Sequence, residues 1–233
     1  MVSLNGGEKD TSEPVLLKAK PNNFQTNFNN NTIELVFDEY LQLKNAEEQR
    51  IIGPNNGLKI KAKIKGKKIN LSLIGELKAN TTYTINFGEA LSDYTESNIL
   101  RDFQYVFSTG PNLDSISIRG QVKDVFKGDY LKDAIVGLYA MPTSDSSVYL
   151  NKPDYYARTN AQGYYQIKNI KEDKYKISAL VETNNNKIYD SEEELIGFNT
   201  NILNLKKDTA LSVIEAFRAL PSKIKIKESY YHN

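Results

Sequence analysis

Leu58-Lys59-Ile60-Lys61-Ala62-Lys63-Ile64-Lys65-Gly66-Lys67-Lys68-Ile69-Asn70-Leu71-Ser72-Leu73 is the stretch that decides the fold class. Apolar side chains occupy every second position from Leu58 to Ile64, and lysines fill the positions between them. After Gly66-Lys67-Lys68 the alternation resumes at Ile69, Leu71 and Leu73. An extended chain sends successive side chains to opposite faces, so a period of two gives a strand with one buried and one wet face.

The same pattern recurs outward from this segment. Ile33, Leu35 and Phe37 alternate on one side of it, and Tyr83, Ile85, Phe87 and then Phe103, Tyr105, Phe107 on the other. Pro21-Asn22-Asn23, Pro54-Asn55-Asn56-Gly57 and Lys65-Gly66-Lys67 carry turn chemistry between the runs. Ser108-Thr109-Gly110-Pro111-Asn112 is a cluster of breakers and marks a domain boundary. Beyond it, strands resume at Ile116, Ile118 and Val122, at Ala134, Val136 and Leu138, at Tyr164 or Tyr165 with Ile167, and at Tyr175, Ile177 and Ala179.

Helical signals are few. Asn45 with Glu48 reads as an N-cap and its capping partner, which predicts a short helix near 45–51. Asp208 ahead of Leu211, Ile214, Phe217 and Leu220 has helical spacing, but Leu211 and Val213 also alternate, so that segment stays open between helix and strand. The expectation is an all-β chain of two tandem antiparallel sandwiches. An N-terminal linker occupies 1–13, the first domain 14–110, the second 114–206, and a closing strand or tail 207–233.

Composition narrows the chemistry. The chain has 233 residues, long enough for two such domains, and 30 Lys+Arg against 29 Asp+Glu leave a net charge of +1. That balance gives no reason to expect a nucleic-acid partner. Cysteine is absent and His232 is the sole histidine, which removes thiolate chemistry and argues against a Ser–His pair or a His-ligated zinc. No apolar run approaches the ~20 residues of a membrane helix.

Residues 8–110 resemble the bacterial Ig-like domain family (Big_5 type) of Bacteroidota cell-envelope lipoproteins. The resemblance rests on Gly6-Gly7-Glu8-Lys9-Asp10-Thr11, on "KAKPNNFQTNFNNNTIELVFDEYLQLKN", on "LKANTTYTINFGEALSDYTESNIL" and on "FQYVFSTG". Ser97 departs from it, standing where the family usually has Gly before Asn98. Residues 116–206 resemble carboxypeptidase-regulatory-like or transthyretin-like β-sandwich modules, which are non-catalytic. The carriers there are "ISIRGQVKDVFKGDYLKDAIVGLYA", "YARTNAQGYYQIKNI" and "DKYKISAL". The first resemblance implies a lipid-bearing Cys a few residues before Gly6 in the natural precursor, and hence an outer-membrane-anchored envelope lipoprotein.

Four features of the sequence bear on chemistry. Glu182, Asn184, Asn186, Asp190 and Glu193, with the Ile188 carbonyl, have the spacing of an EF-hand-type Ca²⁺ loop, although Lys187 replaces the usual glycine. The set predicts weak calcium binding or a polar hairpin. Lys59, Lys61, Lys63 and Lys65 share one strand face, which fits an anionic ligand or a guarded sheet edge. Tyr155-Tyr156, Tyr164-Tyr165 and Tyr230-Tyr231 should each place one ring in the core and one outside. Asp38-Glu39 and Glu192-Glu193-Glu194 are dense carboxylates without an evident cleft for glycoside hydrolysis. The resulting expectation is a non-catalytic structural or protein-interaction module that docks on an envelope protein or complex. A surface glycan-binding module is the alternative and a hydrolase the remote one.

Overall fold

The computed structural model describes residues 10–45, 51–55, 57–101, 103–184 and 186–219. The fold is all-β, with 47% strand and 2% helix among the described residues. Among the described residues no helix is long and apolar enough to cross a membrane.

The N-terminal half contributes β1 (Leu16–Lys20), β2 (Thr32–Phe37), β3 (Leu41–Leu43), β4 (Ile51–Gly53), β5 (Lys59–Lys65), β6 (Lys68–Ile74), β7 (Thr82–Asn86), β8 (Leu91–Asp93) and β9 (Gln104–Ser108). One sheet runs β1-β2-β6-β5 and faces a three-stranded sheet β4-β7-β9, with β3-β8 as a small third pair. The alternating residues meet between them. Leu35 and Phe37 of β2, Ile69 and Leu71 of β6, Tyr83 and Ile85 of β7, and Tyr105 and Phe107 of β9 are all buried in one cluster. Phe107 is its aromatic hub, with ring centroids 4.0 Å from Phe28, 5.2 Å from Tyr83 and 6.1 Å from Tyr105.

The remainder contributes β10 (Ile116–Asp124), β11 (Ile135–Ala140), a four-residue helix α1 (Ser147–Leu150), β12 (Tyr155–Arg158), β13 (Tyr164–Ile170), β14 (Asp173–Val181), β15 (Leu195–Phe198), β16 (Leu203–Leu205), β17 (Thr209–Ala210) and β18 (Ile214–Arg218). Its strands run β12-β11-β14-β15-β18-β10-β13, with β16 beside β14 and β17 beside β10. Most neighbours are antiparallel, but β18 pairs parallel with β10 through Val122↔Ile214 and Asp124↔Ala216. Ile118, Val122, Val136, Leu138, Ile167, Ile177, Ile214 and Ala216 form a second core, separate from the first.

A third, smaller cluster lies on the other face of β11 and β14. Tyr139, Leu180 and Ile196 are covered there by Val148 of α1 and by Tyr189. Tyr189 N–H donates to the Val148 carbonyl at 3.0 Å, and its ring meets Tyr149 edge-on at 5.3 Å. The polar stretches 142–154 and 182–194 therefore act together as a lid.

One local expectation needs correction, and one that was open between helix and strand resolves. The helix near 45–51 is not formed at its C-terminal end, because Ile51–Gly53 is strand β4, paired with β7 through Ile52↔Ile85; residues 46–50 lie outside the described residues. The segment after Asp208 is strand at β17 and β18, because burial of Ile214 and Ala216 against β10 outweighs the helical spacing. Residues 1–9 and 220–233, with the Gly6-Gly7 segment and Tyr230-Tyr231, lie outside the described residues.

Phe107→Ala should destabilise the chain by about 3–5 kcal/mol, the cost of removing a buried ring from a packed core. Urea unfolding measures it, and a loss under about 1 kcal/mol would mean that the aromatic hub is not packed as described.

Candidate functional site

The Glu182–Glu193 loop follows β14 directly. Lys187, at the position where an EF-hand has glycine, is in the left-handed region at φ 67, so the sharp reversal occurs despite the side chain. Its N–H donates to Glu182 Oε2 at 2.6 Å, and its Nζ lies 5.8 Å from the centre of the Tyr156 ring. Glu182 Oε1 pairs with Arg158 at 3.3 Å.

Asp190 accepts from Asn184 Nδ2 at 3.0 Å and from Asn186 Nδ2 at 2.5 Å. The Asn184 and Asn186 side-chain oxygens accept from Asn186 N–H and Ile188 N–H. The loop therefore brings Asn184, Asn186 and Asp190 together but sends Glu182 to Arg158. Glu193 is exposed. Among the described residues no three acidic or imidazole groups gather closely enough to hold a metal. In this arrangement the oxygens of Asn184, Asn186 and Asp190 accept from N–H groups of the loop itself.

The acid that organises this loop is Glu194, which the spacing did not single out. It is fully buried, and its carboxylate accepts from Thr183 N–H at 3.2 Å, Asp190 N–H at 3.1 Å and Ser191 N–H at 3.4 Å. Its signal in the sequence was its place in the Glu192-Glu193-Glu194 run, whose other two members are exposed. Asp93 plays the same part in the first sandwich. Burial works against its charge, yet bonds from the N–H groups of Glu96, Ser97 and Asn98 hold its carboxyl below the usual range. At Asp124 the Lys127 N–H has the largest effect in the same direction.

The lysine row lies where the alternation put it. Lys59, Lys61, Lys63 and Lys65 are exposed on β5, the edge strand of its sheet, where lysines discourage strand addition. Lys59 and Lys61 also reach a cleft of about 330 Å³ shared with Lys152, Tyr156 and Lys187. In the Tyr pairs, Tyr155 and Tyr165 are buried, and Tyr164 is 55% exposed.

The two sandwiches meet through specific polar contacts. Asn55 N–H donates to the Asp154 carbonyl at 2.6 Å, and Asn169 Nδ2 donates to Thr84 Oγ1 at 2.9 Å. Gly53 lies against Tyr155, where an added Cβ would be 3.1 Å from the ring. Asp114 N–H in the connecting segment is held by Thr82 Oγ1. Beside these contacts lies a larger groove of about 1100 Å³ with walls from both sandwiches.

Residues 10–109, somewhat under half of the chain, match the family model of the bacterial Ig-like domain. A search of curated proteins finds no match. Among solved structures the chain is similar to the N-terminal part of the bacterial S-layer protein SbsC (11% identity, 88% of this chain and 44% of that one, TM-score 0.30). It is also similar to an L,D-transpeptidase from Mycobacterium smegmatis (11%, 56% and 56%, 0.28). A third is the pilus 2b backbone protein of group B streptococcus (10%, 88% and 97%, 0.29). The chain spans about half the length of the first two, and TM-scores of this size carry no argument about function.

The departure at Ser97 has a backbone meaning. Ser97 sits at φ 66, in the left-handed region that costs a side-chain-bearing residue about 1–2 kcal/mol. Ser97→Gly should therefore raise stability by up to about 1 kcal/mol, net of the bonds its hydroxyl accepts from Gln42 and Lys44; a clear loss in urea unfolding would show that the hydroxyl outweighs the strain. Asp190→Ala should lower the melting temperature equally in millimolar Ca²⁺ and in chelator, because Asp190 ties the loop through Asn184 and Asn186. A calcium-dependent stabilisation of the parent chain that vanishes in this variant would establish the metal reading instead.

Proposed function

We propose that the chain is a non-catalytic module of the bacterial cell surface or envelope, serving in structure and protein interaction. The observation that carries this is the match of residues 10–109 to the bacterial Ig-like domain. The use of its buried acids supports the reading. Asp93, Asp124 and Glu194 direct their oxygens to backbone N–H groups of their own loops, which commits these three acids to stiffening turns.

We read the second sandwich as the carboxypeptidase-regulatory-like type. Its Asn160-Ala161-Gln162-Gly163 turn is built tightly: Asn160 Oδ1 accepts from Gln162 and Tyr164 N–H groups. Gly163 lies at φ 70, where an added Cβ would be 2.8 Å from the Val122 carbonyl oxygen. The role is an accessory subunit of an envelope complex, attached to the outer membrane by a lipid near Gly6.

Fractionation of the native organism with palmitate labelling tests the reading. The protein should sit in the outer-membrane fraction and carry label. A soluble, unlabelled cytosolic product would overturn it.

A further inference from the structure

The groove beside the junction has a lining that the structural role does not use. Its walls come from β10 and β13, from the β7–β9 pair, and from the 157–161 stretch with Asp133 and Glu182. Arg119 stands directly across from Gln166 in the β10–β13 ladder, and Asn86 directly across from Gln104 in the β7–β9 ladder. Tyr164, Gln166 and Lys168 occupy alternate positions of β13, so they share one face at roughly 6.5–7 Å intervals. All three are exposed.

The charges in the groove are not balanced evenly. Each carboxylate of the lining already faces a cation: Glu182 pairs with Arg158, Asp133 with Lys132, and Glu89 shares Arg101 with Glu13. Arg119 and Lys168 have no ion pair among the described residues. The groove thus offers a guanidinium and an ammonium to an incoming anion, although the whole chain is near neutral.

The other groups narrow the ligand class. Side-chain amides both donate and accept, as sugar hydroxyls do, and four of them, Asn86, Gln104, Asn160 and Gln166, line the groove. The guanidinium fork matches a carboxylate. Tyr164 supplies one exposed aromatic face for a pyranose ring. A protein partner would instead want a dry apolar centre with several anchors, which this lining lacks. A volume of about 1100 Å³ is at the upper end of small-ligand sites and suits a few sugar units rather than one.

We propose that this groove binds an acidic oligosaccharide, with carboxylates on Arg119 and Lys168, hydroxyls on Asn86, Gln104 and Gln166, and one ring stacked on Tyr164. The proposal goes beyond the structural role and stands or falls separately from it. Calorimetry of the full chain with tetragalacturonate, and with neutral galactotetraose as control, is the test. The acidic tetramer should bind at least about tenfold more tightly than the neutral one, the scale of one charge-assisted hydrogen bond.

Arg119→Ala and Tyr164→Ala should each weaken binding by about tenfold without moving the melting temperature, since both side chains are exposed. A Lys61→Ala, Lys63→Ala double variant on β5 should bind like the parent. No binding heat at millimolar ligand, equal affinity for the neutral tetramer, or loss of binding in the lysine variant would each overturn the proposal.

Discussion

The seam between the two sandwiches is the constraint on which the functional surfaces depend. Asn169 donates across it to Thr84, and Asn55 donates to the Asp154 carbonyl. Hydrogen bonds of this kind contribute about 1 kcal/mol each, so two of them alone would leave the sandwiches free to swing. Packing adds the rest: Gly53 lets Tyr155 approach β4 closely, and Asp114 in the connecting segment is anchored on Thr82. Asn169 is itself in the left-handed region at φ 57, a conformation Asn tolerates better than most residues. The kink aims its side chain at the neighbouring sandwich one residue after Lys168, so groove and seam share a single strand end.

A second theme is the use of carboxylates as fasteners. Asp93, Asp124 and Glu194 each accept several N–H bonds from a turn, answering the demand of buried backbone donors that no ladder satisfies. This matters most at Glu194, because its loop is the cover over Leu180, Ile196 and Tyr139. β11 is apolar on both faces, with Ile135, Val136, Leu138 and Tyr139 all buried, and without that cover one of those faces would meet water. The 182–194 loop is long and polar because it must cap itself while laying Tyr189 on the sheet.

The strands with clean alternation were legible in the sequence, and their inward residues are those that fill the cores. Ile69, Leu71 and Leu73 face in while Lys68, Asn70 and Ser72 face out. The Tyr164-Tyr165 pair divides as strand geometry requires. Legibility failed where strands are short or covered on both sides. Ile51–Gly53 is too brief to show a period, and a capping signature upstream suggested helix instead. The last strand mimics a helix because Ile214 and Phe217 are three apart and face different clusters. The calcium-like spacing of Glu182 to Glu193 is a pattern of oxygens, and spacing alone does not report the bonds that tie Asp190 to Asn184 and Asn186. The groove was invisible in the sequence because Asn86 and Gln104 come from one sandwich and Arg119 and Gln166 from the other.

Amide chemical-shift mapping of the ¹⁵N-labelled full chain during titration with tetragalacturonate tests the junction groove most directly. The account predicts shifts on both walls together, at residues around Asn86 and Gln104 and along Tyr164 to Lys168. Shifts confined to one sandwich, or centred on the β5 lysines, would contradict it.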